Sequence, residues 1–149
     1  MLRLPPPIWA MVFLGLTAAA SWALDWPPIP WLPHHEAVGV TIFFVSWILP
    51  VLAFRSFRLM GTEIDPMSER NYALVTDGPY RLTRNPMYLG LTFATLGMAI
   101  WVGAWPMLIS PLLVFSVCNW VHIPFEEAKM ARQFGAEYED YARRVRRWV

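Results

Sequence analysis

Lysine is nearly absent from the 149-residue chain, occurring once, as Lys129, and cysteine also occurs once, as Cys118. One cysteine excludes an intrachain disulfide framework and any cysteine-based metal cluster. Set in an apolar run, Cys118 reads as a small buried side chain. Charge of either sign is scarce, at 15% of residues, and the formal balance of +1 leaves no basic stripe for nucleic acid. The glycine-rich strand-to-helix turn that cradles nucleotides in soluble enzymes is missing. So are internal repeats and low-complexity tracts.

The charge that is present comes in blocks. Between Arg3 and Arg55 the only ionisable residues are Asp25, His34, His35 and Glu36, and from Asn85 to His122 no residue carries a formal charge. Apolar runs of that length belong to membrane helices. The pattern predicts four spans, at about residues 8–24, 37–54, 87–102 and 105–121. Each is roughly 24–27 Å long as a helix, at the short end for a bilayer. Pro50 and Pro111 fall inside two spans and are expected to kink them. Trp26-Pro27, Trp31 to Pro33 and Trp105-Pro106 mark ends, where tryptophan suits the headgroup level. The expected fold is all-α: a polytopic membrane protein with four transmembrane helices, a cytoplasmic connecting segment and a C-terminal amphipathic helix, in one domain over residues 1–149.

Orientation follows from the basic residues. Arg3 precedes the first span; Arg55, Arg58, Arg70, Arg81 and Arg84 lie between the second and third; Lys129, Arg132, Arg143, Arg144, Arg146 and Arg147 follow the fourth. The positive-inside rule then puts both termini and residues 55–86 in the cytoplasm, at the inner membrane of a prokaryote. Arg3, the apolar run after it and the small residues 17–21 also fit a cleavable signal peptide. Cleavage would leave three spans in the same orientation.

The connecting segment is long for a linker. It carries turn signals at Gly61, Pro66, Gly78-Pro79 and Asn85-Pro86, and apolar anchors at Leu59, Ile64, Leu74 and Val75. It is expected to lie against the membrane face. From Phe125 the tail reads as an amphipathic helix: Phe134, Tyr138, Tyr141, Val145 and Trp148 make one stripe, with Glu137, Glu139, Asp140 and the late arginines off it. That stripe would rest on the bilayer or on the connecting segment, and Gly135 is a point of interruption.

Few residues can carry chemistry. Glu126 and Glu127 follow the last span, and helical neighbours sit about 100° apart, which argues against a paired-carboxylate glycosidase. They are either solvated acids near a helix start or one of them faces inward and balances a cation, since a carboxylate near hydrocarbon is costly unless paired. Gly90, Ala94 and Gly97 form a small-residue stripe on the third span. It either opens a slot for a flat ring or allows close helix packing. His122 is a candidate base or a hydrogen-bonded interfacial histidine. His34, His35 and Glu36 lie at the opposite face, and no metal is expected there.

Two motifs, "GPYRLTRNPMYLG" (78–90) and "FEEAKMARQFGAEYEDYARRVRRW" (125–148), stand in order on either side of a hydrophobic hairpin. Together with the four-span layout they resemble the isoprenylcysteine carboxyl methyltransferase and phospholipid methyltransferase superfamily. The resemblance implies S-adenosylmethionine bound within a helical membrane protein and released as S-adenosylhomocysteine. It places Arg84, Asn85, Pro86 and Tyr88 on one wall of the cofactor pocket, Glu126 and Glu127 on another, meeting the amino end of the methionine portion, and Tyr80 nearby. The carboxyl methyltransferases show Arg-His-Pro where this chain has Asn85 before Pro86. Asparagine cannot titrate, so a proton-transfer role at 85 is in doubt. The Asn-Pro-Met-Tyr run is closer to phosphatidylethanolamine methyltransferases.

The implied reaction is methyl transfer to a lipophilic or amphiphilic acceptor drawn from the membrane: a phospholipid amine, an isoprenylcysteine-like carboxylate or an apolar thiol. The alternative is a non-enzymatic membrane subunit or transport accessory. That reading explains the spans but not the clustering of polar motifs at one end of the third and fourth.

Overall fold

A computed structural model of the chain describes residues 4–26, 29, 33–61 and 73–149. Arg3, Pro27, Trp31, Ile64, Pro66 and Arg70 lie outside the described residues. The described part is helical throughout, without a strand: α1 (Pro6–Ala23), α2 (His35–Ser46), α3 (Ile48–Met60), α4 (Pro86–Val102), α5 (Ile109–Val117), α6 (Ile123–Phe134) and α7 (Ala136–Arg144). Prolines set many of the boundaries. Pro6 and Pro86 each open a helix at a position where a backbone N–H would have no intrahelical acceptor. Asn85, ahead of Pro86, is held out of the helical region at φ −130° and ψ 53°.

The second apolar run is one 26-residue span broken at Trp47. Pro50 has no N–H to offer the carbonyl of Ser46, so the helix gives way three residues earlier. Beyond the break α3 continues to Met60, past the expected end near Phe54, and stops at Gly61, whose φ of 64° suits glycine. Pro111 does not kink a finished helix. It lies in the first turn of α5 after a 3₁₀ turn over Trp105–Leu108, and the Ser110 hydroxyl donates to the Met107 carbonyl (2.6 Å) that Pro111 cannot serve.

The last long helix also outruns its expectation. Trp105–Phe134 is continuous over 30 residues, roughly 45 Å, against a hydrocarbon core of about 30 Å. The apolar part ends near Ile123, and α6 carries on beyond it. Between α5 and α6 the residues Cys118–His122 are π-helical, with the Ile123 N–H donating to the Cys118 carbonyl. Pro124 follows directly and cannot donate to the turn before it. The extra residue turns everything after it by about 100°, which sets the direction in which Glu126 and Glu127 face.

Three helices are long and apolar enough to cross a membrane, and α4, at 17 residues, is a shorter apolar helix beside them. Their outer surfaces carry exposed Met11, Leu16, Phe44, Val51, Leu112 and Trp120. That surface would be a liability in water and is at home in lipid. The chain is an integral membrane protein. The most extensive helix packing described joins α2 and α4. A Cβ on Gly97 would fall 2.5 Å from the Phe43 nitrogen, and one on Gly39 would fall 2.6 Å from the Gly97 carbonyl oxygen, so these backbones touch directly.

The tail folds back over the end of this bundle. Gly135 breaks it, as the sequence suggested, at φ 51° and ψ −124°. The expected single helix is therefore two, and Val145 is already extended. Tyr138 and Tyr141 are buried with Ala53, Leu74, Val75 and Tyr80, so the tyrosines of the stripe meet the connecting segment and α3. Trp148 packs at the second cluster, beside Val114, Cys118 and Ile123.

Candidate functional site

The polar turn ahead of α4 is built from its own short side chains. The Asn85 backbone N–H donates to the Thr83 hydroxyl oxygen (3.1 Å), which in turn donates to the Arg147 carbonyl (3.0 Å). The Asn85 amide donates to the same carbonyl (2.9 Å), and the Arg84 backbone N–H donates to the Arg146 carbonyl (3.0 Å). Thr83 and Asn85 are both buried, so these bonds satisfy groups that would otherwise be stranded. Just upstream, a 3₁₀ turn at Gly78–Arg81 buries Tyr80, whose carbonyl accepts from the Tyr141 hydroxyl (2.8 Å).

Glu126 and Glu127 reach this turn from α6 and take different partners, as their angular separation requires. The Tyr88 hydroxyl donates to Glu126. Glu127 receives Arg84 Nη2 on Oε1 (2.6 Å) and Arg147 as a fork, Nε on Oε1 (3.1 Å) and Nη2 on Oε2 (2.5 Å). The electrostatics separate them further. Both lie beyond the apolar stretch. Burial pushes the Glu126 carboxyl up to about 7 against the pull of the Tyr88 hydrogen bond. Burial also acts on Glu127, but hydrogen bonds from Arg147 and Arg84 and their charges outweigh it, leaving that carboxyl below its ordinary value.

These groups border one cavity of about 360 Å³, within the usual ~300–1,000 Å³ of small-molecule sites. Tyr80, Arg84, Asn85, Pro86, Tyr88, Gly90, Glu126 and Glu127 all line it, so eight expected site residues come together. Its remaining walls are largely apolar and include Trp47, Pro50, Phe57, Leu91, Ala94 and Met130. Gly90 has a second role: a Cβ there would fall 2.4 Å from Pro50 Cδ and 2.8 Å from the Ser46 carbonyl oxygen, so α4 meets the α2–α3 break backbone to backbone.

Two expected residues stand apart. Gly97 is outside the cavity lining and closes the α2–α4 contact instead, because the polypeptide there leaves no slot to open. His122 is buried on the π-helical turn with its ring 6.3 Å from that of Tyr88; it does not line the cavity, and its Nε2 has no hydrogen-bond partner among the described residues. His35, by contrast, donates from Nδ1 to the Ile100 carbonyl (3.2 Å).

Sequence reasoning missed the contributions of α3 and the tail. Trp47 and Pro50 read as span residues, and Arg147 as one more topogenic charge. The signal available for Tyr138 and Tyr141 was the stripe, which left open what it covers.

An all-helical membrane protein with an amphiphilic cavity at the polar end of its bundle is the class these features define. Within that class, the family model for phospholipid methyltransferase matches residues 35–137, and the chain belongs to that family. Among curated relatives, Methanethiol S-methyltransferase 2 of Bradyrhizobium diazoefficiens is 30% identical over 81% of this chain and 51% of its own length. Protein-S-isoprenylcysteine O-methyltransferase B of Arabidopsis thaliana is 34% identical over 78% of this chain and 61% of its own length. Phosphatidyl-N-methylethanolamine N-methyltransferase of Emericella nidulans is 30% identical over 76% of this chain and 52% of its own length. The matched region thus spans about half to three-fifths of these relatives. No solved structure matches the chain.

Proposed function

We propose that the protein is an integral membrane methyltransferase that takes S-adenosylmethionine in this cavity and methylates a lipophilic or amphiphilic acceptor. The observation that carries the reading is the charge pattern at one end of an otherwise apolar cavity. Glu127 with Arg84 and Arg147 is a cluster of net charge +1, and Glu126, which accepts from Tyr88 and feels the charge of Lys129, is a separate acid that is anionic above about pH 7. A zwitterionic amino-acid end matches that pair of opposite charges, with its carboxylate toward Arg84 and its ammonium toward Glu126. One orphaned atom supports the fit: Arg84 Nε is buried with no partner among the described residues, a donor that a bound carboxylate would satisfy. The aromatic and aliphatic walls suit an adenine ring.

When bound, S-adenosylmethionine supplies an activated methyl group, so the protein's share is positioning and the exclusion of water. Arg84, Asn85 and Tyr88 are fixed by hydrogen bonds before any ligand arrives, which lowers the cost of ordering them. Trp47 and Pro50, at the α2–α3 break, and Pro6 and Pro7, at the start of α1, line the apolar part of the cavity. An acceptor with an apolar body would enter there. The relatives are named for S-, O- and N-methyl transfer, and we assign the acceptor no further than its lipophilic character.

The reading includes a single domain with four spans, α4 being the short one, both termini and residues 55–86 on the cytoplasmic side by the distribution of arginine, and residence in a prokaryotic inner membrane. A non-enzymatic subunit accounts for the spans but gives the charge pattern no purpose. The reading is tested by incubating purified protein with methyl-labelled S-adenosylmethionine and a membrane lipid extract. Label in an extractable product is the expected result; label that stays wholly with the donor over a range of amine, acid and thiol acceptors would overturn it.

A further inference from the structure

Arg147 does not line the cavity, yet the residues that do are tied to it. Its guanidinium grips Glu127 at two points, Nε to Oε1 at 3.1 Å and Nη2 to Oε2 at 2.5 Å. A planar fork on a carboxylate fixes its rotation as well as its position. Oε1 of that carboxylate also takes Arg84 Nη2 at 2.6 Å, so the direction of the Arg84 guanidinium depends on where Arg147 holds Glu127. Arg84 Nη1 donates to the carbonyls of Ala142 (2.8 Å) and Val145 (3.0 Å). Nη1 thus uses both of its N–H groups and Nη2 one of its two, while the buried Nε has no hydrogen-bond partner among the described residues. The segment bearing Arg147 is itself pinned on both sides. Its carbonyls at 146 and 147 accept from Thr83, Arg84 and Asn85. Beyond it, Trp148 donates from Nε1 to Asn119 Oδ1 (2.9 Å) and lies 4.7 Å from the Phe115 ring.

We infer that Arg147 is a positioning residue of the cofactor site, holding Glu127 and through it Arg84, so that the segment after α7 works in ligand binding without touching the ligand. The inference rests on the proposed function for the identity of the ligand, but the link between Arg147 and Glu127 stands on the geometry alone.

The test is a double-mutant cycle on S-adenosylhomocysteine affinity, measured by titration calorimetry on the full chain in detergent. Arg147→Ala is expected to weaken binding at least about tenfold, the scale of a disturbed support around a binding group. Arg147→Lys, which keeps the charge and loses the fork, should fall between Arg147→Ala and wild type. In the Glu127→Gln background, Arg147→Ala should cost less than about threefold more, because its route to the site has already been cut. Undiminished loss in that background, or wild-type affinity in Arg147→Ala, would overturn the inference. Should Arg147→Ala fail to fold, the cycle is run with Arg147→Lys under the same criteria.

A second readout needs no ligand. The groups facing Glu127 are Arg84, Arg147, Tyr138 of α7 and Glu126 on its own helix. Removing one of two cations should move the Glu127 titration, followed by the infrared carboxyl band that Glu127→Gln abolishes, to higher pH. An unmoved titration counts against the link. A moved titration in a protein that does not bind S-adenosylhomocysteine would keep the link and sink the proposed function.

Discussion

The two ends of α4 are built on opposite principles. Toward its C-terminus the helix meets α2 backbone to backbone at Gly97 and Gly39, where even a Cβ would collide with main-chain atoms. Toward its N-terminus it opens onto a cavity bordered by Arg84, Tyr88, Glu126 and Glu127. The closed end sets the distance between helices through contact of main chains that cannot give. The open end can then hold charges at separations set by the backbone contacts behind it. Gly90 sits where the two regimes meet, touching Pro50 and lining the cavity at once.

Substitutions should separate the two ends. Gly97→Val drives side-chain atoms into the Phe43 backbone and should have the largest effect, about 3 kcal/mol or more of lost stability, read as a lower thermal midpoint in detergent with or without ligand. Glu127→Gln leaves Arg84 and Arg147 without their shared anion. It should weaken S-adenosylhomocysteine binding by about ten- to a hundredfold, with the helix content unchanged by circular dichroism. Tyr88→Phe removes one hydrogen bond to Glu126 and should weaken binding by about fivefold, the scale of ~1 kcal/mol per bond. Arg81→Ala breaks the exposed pair with Asp77 and should change stability by less than about 0.5 kcal/mol. If Gly97→Val spared the midpoint and abolished binding, the division between the ends would be wrong.

Acidity sharpens the same contrast. With its carboxyl raised to about 7, Glu126 gains its charge as pH rises through that value. Binding of a cationic ammonium there should be strongest above pH 7 and weaken by up to about tenfold per pH unit below it. Its effect on folding has the other sign. An acid with a raised folded pKa binds protons more tightly when folded, so its contribution falls as pH rises from its unfolded value through about 7. Glu127, lowered instead, contributes stability above its unfolded value that is lost as pH falls through its folded one. Affinity measured across this range in wild type and Glu126→Gln should show the neutral-pH limb only in the former.

Much of this was legible in the chain. The block distribution of charge marked the apolar helices, and the polar turn before Pro86 together with Glu126 and Glu127 marked residues that border the cavity. What the sequence could not carry was the work of backbone geometry. Helix continuity through Ile123 and the π-helical turn before Pro124 depend on where carbonyls find donors, which residue identity does not reveal. Gly90 and Gly97 are alike as letters, and only the neighbour each one meets separates cavity wall from helix contact. Arg147 was hidden for a different reason: among the late arginines, only the folded path of the tail picks out the one that reaches Glu127.

The central claim is that the ends of α4 and α6 share one cavity that binds a zwitterionic nucleoside donor. Calorimetric titration of S-adenosylhomocysteine at pH 8 tests it most directly. Saturable binding by wild type, weakened at least about tenfold in Glu126→Gln and in Glu127→Gln, is the predicted result. Absence of binding at millimolar ligand, or wild-type affinity in both variants, would contradict it.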